Sequence, residues 1–191
     1  MKPTDFSKYI SDFISRYLPH EKGVSNNTII AYRDTFVLLI EYLQKEKQLK
    51  VEKLTLDKVT KKVILDYLDW LQNTRNCGNT TRNARLAAIH SFYRFLQHED
   101  LGHLYECQKI LSISFKKAQN KSIIYLTIEA MKLLLQQPNC STTKGRRDLA
   151  LLSLMYDTGA RVQEIIDLTP SMLRLDTPPV IKIIGKGNRA R

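Results

Sequence analysis

Behind Ser25, apolar residues return every three or four positions: Ile29, Tyr32, Phe36, Ile40 and Leu43. That spacing places them on one face of an α-helix, and such a helix must bury that face against others. The pattern recurs three more times in the first half of the chain. Thr4 or Asp5 precedes Phe6, Tyr9, Ile10, Phe13, Ile14 and Tyr17, a run expected to stop at Pro19. A third helix is expected from about Thr60 to Gln72, with Val63, Ile64, Tyr67, Leu68 and Leu71 inward. Gly78 breaks the chain, and Asn79 or Thr80 opens a fourth helix carrying Leu86, Ile89, Tyr93 and Leu96 on its buried side. Four amphipathic helices with short connections predict a compact bundle.

Residues 114–122 are polar and basic, with little to bury, and read as a linker between domains. A helix capped by Thr127 follows, with Glu129 in its first turn where a negative charge suits the helix dipole. Residues 138–143 read as a loop. Residues 148–156 are nearly continuously apolar and predict a helix buried on most sides, ended by Gly159. A short helix from Val162 to Leu168 comes next, and residues 180–184 form the one convincing strand.

The 191 residues carry a formal net charge of +11, which speaks of partners and says little of fold. Nucleic acid is the commonest reason for such an excess, and a membrane surface the second. No apolar run approaches a bilayer-spanning length, and the N-terminus shows no signal peptide. Cys77, Cys107 and Cys140 are odd in number and scattered, which suits reduced thiols in a cytoplasmic chain. His98, Glu99, Asp100 and His103 have no metal-ligand spacing and read as a solvated helix end.

Two places could carry chemistry. Arg161 stands two residues past Gly159, and its planar fork suits a bidentate grip on a phosphate. Glu164, three residues on, shares its helix face and can fix the guanidinium; an ordinary surface ion pair is the bland alternative. Lys186 lies between Gly185 and Gly187 in a turn after a strand, either a solvated tip or a mobile ammonium able to donate a proton. On the helices, Asn79, Thr80, Thr81, Arg82 and Arg85 crowd the start of the fourth, and Asn27, Thr28 and Arg33 do the same for the second. Free N–H groups at helix starts favour a phosphate, so these residues are the candidate DNA contacts; a capping-rich, solvated basic side is the alternative.

The run Asp157-Thr158-Gly159-Ala160-Arg161-Val162-Gln163-Glu164-Ile165-Ile166-Asp167-Leu168 resembles the first arginine motif of the tyrosine recombinase (phage integrase) family. Gly185-Lys186-Gly187-Asn188-Arg189-Ala190-Arg191 resembles its β-hairpin lysine motif. Asn27-Thr28-Ile29-Ile30-Ala31-Tyr32-Arg33, Asn79-Thr80-Thr81-Arg82-Asn83-Ala84-Arg85-Leu86 and Phe92-Tyr93-Arg94-Phe95-Leu96 resemble its core-binding domain. The resemblance implies a mainly α chain: a four-helix, SAM-like core-binding bundle over residues 1–113, the linker 114–122, and the N-terminal portion of a catalytic domain over 123–191 with the start of one β-hairpin. It implies double-stranded DNA as partner, with other recombinase protomers joining on DNA, a monomer free in solution, no membrane, no cofactor and no metal. By carry-over Arg161 neutralises the phosphorane-like transition state, Glu164 positions it, and Lys186 is the acid for the departing 5′-oxygen.

The family's His-x-x-Arg motif does not follow Lys186, and no tyrosine stands after Tyr156; Tyr125 and Tyr156 precede the arginine motif and read as linker-edge and core aromatics. The sequence therefore reads as a recombinase cut short. The alternatives are a non-catalytic DNA-binding or interfering product of a mobile element, and a helical protein-interaction module with incidental charge. A suicide-substrate assay on the 191-residue protein is expected to yield no covalent protein–DNA adduct, and an adduct would overturn this reading.

Overall fold

The computed structural model describes residues 3–118, 125–185, 189 and 190, in two compact units, Met1–Lys121 and Ser122–Arg191. In the first unit α1 (Asp5–Asp12) starts behind Thr4, whose hydroxyl accepts the Ser7 N–H at 3.2 Å. The helix does not stop at Pro19. It continues as a π-helix over Phe13–Glu21, with the Lys22 N–H bonded to the Tyr17 carbonyl five residues back. The wider turn accommodates a proline ring that collides with the preceding turn of an α-helix. Gly23, at φ +60°, then reverses the chain, and the Val24 N–H closes on the Leu18 carbonyl.

Ser25 caps α2 (Asn26–Lys45), and Thr60 caps α3 (Lys61–Asn73). The longest helix, α4 (Asn79–Glu99), opens at Asn79 directly after Gly78, with Asn79 and Thr80 inside the first turn. A fifth helix, α5 (Leu104–Leu111), completes the unit. Sequence periodicity passes over it because eight residues barely exceed two turns. Its Glu106 accepts the Lys61 N–H at 2.7 Å and so caps α3 from a neighbouring helix.

A cluster of aromatic rings lies within the core of this unit. Phe13 is fully buried, with ring centroids of Tyr17 at 5.8 Å, Tyr32 at 6.2 Å, Phe36 at 6.1 Å, Phe92 at 5.5 Å and Phe95 at 5.6 Å. These rings come from the π-helix, α2 and α4, so the cluster binds three elements at one point. Tyr93 lies buried beside it and donates to the Val59 carbonyl at 3.0 Å.

The second unit contains α6 (Ile128–Leu135), capped by Thr127, and α7 (Thr143–Thr158), capped by Thr142. It also contains α8 (Val162–Ile166). The expected deep burial of residues 148–156 is not found: Leu151 is 39% and Tyr156 53% exposed. Leu154 and Met155 of α7 pack against a small buried cluster of Ala160, Ile165 and Ile183. The expected hairpin start is present, and a second short antiparallel pair takes up residues 180 and 181. β1 (Leu173–Arg174) pairs with β2 (Val180–Ile181), and β3 (Ile184–Gly185) with β4 (Arg189–Ala190). The Lys182 N–H bonds to the Met172 carbonyl at 2.8 Å, and Ile183 turns into the core there, which divides the apolar run.

His103 ties two 3-10 turns together, with Nδ1 on Asp100 at 2.9 Å and Nε2 on Asp57 at 3.1 Å. Burial alone would lower its pKa, but the hydrogen bonds and charges of the two aspartates outweigh that and raise it. The folded state therefore favours the imidazolium. Its stabilisation is complete below the unfolded-state value of about 6.5 and fades as pH rises through the higher folded-state value. Urea denaturation across this range should show wild type losing stability with rising pH relative to His103→Gln, and parallel curves would contradict the assignment.

Candidate nucleic-acid interface

At the start of α2 the Ser25 hydroxyl accepts the Thr28 N–H at 3.4 Å and meets the Thr28 hydroxyl at 3.0 Å. Thr28 is thus committed to the cap, while Asn27 is exposed. One turn further along, the α2 surface is gripped from α4. Arg85 donates through Nη1 to the Ala31 carbonyl at 3.2 Å and to the Thr35 hydroxyl at 3.0 Å. Both bonds use one nitrogen of the guanidinium. Asn27 and Ala31 are four residues apart, as are Thr81 and Arg85, so each pair lines one helix stripe. The Arg85 bonds bring those two stripes side by side, with Thr81 exposed. Arg33, two residues from Ala31, faces another direction and pairs with Asp34 at 3.4 Å on the open surface.

The remaining α4 residues divide. Thr80 is exposed. Arg82 is only 4% exposed, so the structure corrects its reading as a surface phosphate contact. Its Nη1 donates to Asn83 Oδ1 at 3.3 Å and reaches the Ser114 carbonyl at 3.5 Å, while Nε has no hydrogen-bond partner. Burial lowers the guanidinium pKa, with Asp69 opposing. Helical periodicity could not separate Arg82 from Arg85, because what buries Arg82 is a distant segment of chain. Asn79 is not a free phosphate donor either: its amide accepts from Gln72 at 2.9 Å and donates to the Lys117 carbonyl at 2.8 Å.

In the second unit Gly159 takes φ +59° and ends α7, a conformation that favours glycine. The chain then enters α8 through Arg161. The Glu164 carboxylate accepts the Arg161 backbone N–H at 3.0 Å and the Arg161 Nη1 at 2.7 Å. The carboxylate is 6% exposed and the arginine side chain 68%. A buried anion therefore anchors one edge of a guanidinium whose body stands in solvent, where it can meet an oxyanion. Lys186 lies outside the described residues, between the paired strands β3 and β4. Among the described residues no group of three or more His, Cys, Asp or Glu is arranged to hold a metal, and no helix is long and apolar enough to cross a membrane. Cys77, Cys107 and Cys140 are free thiols, and burial pushes Cys107 up to about 11.

Comparison with known proteins bears on the family of the chain. The sequence model of the phage integrase N-terminal SAM-like domain matches residues 11–100. A Sinorhizobium fredii protein described as an integrase/recombinase (y4rC) is 32% identical over 190 residues, covering 100% of this chain and 57% of that protein. The tyrosine recombinase XerD of Halalkalibacterium halodurans is 32% identical over 171 residues, covering 90% of this chain and 54% of that protein. The crystal structure of XerA recombinase aligns with a TM-score of 0.39 and 24% identity, over 96% of this chain and 57% of that one. The chain belongs to the tyrosine recombinase (phage integrase) family. It spans a little over half the length of these curated relatives.

Proposed function

We propose that the helical unit binds duplex DNA and that the chain serves site-specific recombination or integration in the cytoplasm. One observation carries most of the weight: Arg85 holds the starts of α2 and α4 side by side, with Asn27, Thr80 and Thr81 exposed near those starts. Helix starts and hydroxyl or amide side chains are suited to phosphate oxygens, contacts that position a protein on DNA rather than read its sequence. The net charge of +11 favours the same partner.

In the second unit, Arg161 takes the role of a donor to a non-bridging oxygen of the scissile phosphate. Glu164 sets its orientation, which lowers the reorganisation required as charge develops. Lys186 serves as acid for the leaving 5′-oxygen. The reaction class is metal-free phosphoryl transfer to a protein nucleophile. DNA binding and part of the phosphate grip are the roles these residues would take. Further recombinase protomers bound to the same DNA are the partners this role calls for.

Affinity for a short duplex, followed by fluorescence anisotropy between about 50 and 200 mM salt, tests the reading, because each neutralised phosphate adds about 0.9 to the negative log–log slope. Arg85→Ala should lower that slope by about 1. Arg82→Ala should lower the melting temperature and leave the slope nearly unchanged. Binding that ignores salt would favour a protein-interaction module and contradict the DNA reading.

A further inference from the structure

After the buried Ile113 the chain leaves α5 as an extended segment, residues 114–117, that belongs to no sheet. Backbone groups outside regular structure still need partners, and here α4 supplies them from its side chains. The Asn83 amide addresses Lys116 in both directions: its Oδ1 accepts the Lys116 N–H at 3.0 Å and its Nδ2 donates to the Lys116 carbonyl at 2.6 Å. One turn earlier, Asn79 Nδ2 donates to the Lys117 carbonyl at 2.8 Å. Asn79 Oδ1 accepts from Gln72 Nε2 at 2.9 Å, and Gln72 Oε1 accepts the Lys116 ammonium at 2.6 Å. The segment is also pinned by Phe115, whose ring meets the buried His90 edge-on at 5.4 Å.

Every amide in this circuit has its orientation fixed by its neighbours. Turning Gln72 over would set its NH₂ against the Lys116 ammonium, and turning Asn79 would set its carbonyl against that of Lys117. Asn79 and Asn83 lie four residues apart, on the helix stripe that meets the segment. Arg82, only 4% exposed, reaches the Ser114 carbonyl of the same segment at 3.5 Å.

We propose that Asn83 and Asn79 are positioning residues that clasp residues 114–117 onto α4 and fix the path by which the chain leaves the helical unit. The connector therefore begins later than its polar composition suggests, since residues that read as linker are secured to the bundle. Asparagines at a helix start that look suited to phosphate are occupied by protein backbone. The clasp stands apart from the DNA reading, and its test contains no nucleic acid.

Amide hydrogen exchange of the 191-residue protein, followed residue by residue by NMR, reads the Lys116 N–H directly. One net hydrogen bond corresponds to roughly a tenfold change in opening equilibrium. Asn83→Ala should speed Lys116 exchange by about that factor and leave the Leu86 and Phe92 amides of α4 unchanged, because alanine is a good helix former. Asn83→Asp keeps an acceptor and loses the donor. It should retain protection at Lys116 while trypsin cleaves faster after Lys116 and Lys117. Equal Lys116 exchange in wild type and Asn83→Ala, with α4 intact, would overturn the proposal. So would loss of Lys116 protection in Asn83→Asp to the same extent as in Asn83→Ala.

Discussion

The helical unit depends on the packing of rings around Phe13. This residue lies on a π-helical segment and touches aromatic partners from two other helices, so removing it would loosen three elements together. Truncating a core phenylalanine to alanine costs about 3–5 kcal/mol, a large fraction of the stability of a small domain. The consequence reaches the surface. Phe36 of α2 and Phe92 of α4 meet at 5.2 Å, and on those same two helices Arg85 reaches the Ala31 carbonyl. The apolar cluster thus sets the distance that a polar clamp then uses.

Arg82 and Arg85 show how little separates a buried cation from one at the surface. They lie three residues apart, both within the family-like motif, yet only Arg85 sits where water can reach it. Arg82 reaches the Ser114 carbonyl, and in the same segment Lys116 and Lys117 take backbone partners from Asn83 and Asn79. A guanidinium this buried carries a desolvation cost. Core packing elsewhere in the bundle and the hydrogen bonds of the clasp offset it.

Much of this was legible in the residues. Thr4, Ser25 and Thr127 each cap a helix where the sequence places a cap, because a hydroxyl before an amphipathic run has one good use. Gly159 and the Arg161–Glu164 pair were equally readable, being local in sequence. What escaped was decided by distant chain. Pro19 continues a helix because the turn widens, and residues 180–184 divide where Ile183 turns into the core. The apolar face of α7 remains partly exposed, since periodicity specifies an apolar face and cannot say how much of it a neighbour covers.

The central claim is that the aligned starts of α2 and α4 form the DNA surface of the helical unit. Titration of the isotope-labelled protein with a short duplex, followed by amide chemical shifts, addresses it most directly. The account predicts shifts concentrated on residues 26–31 and 80–85, shrinking as salt is raised. Shifts confined to α5 or to the second unit, with those two stretches unmoved, would contradict it.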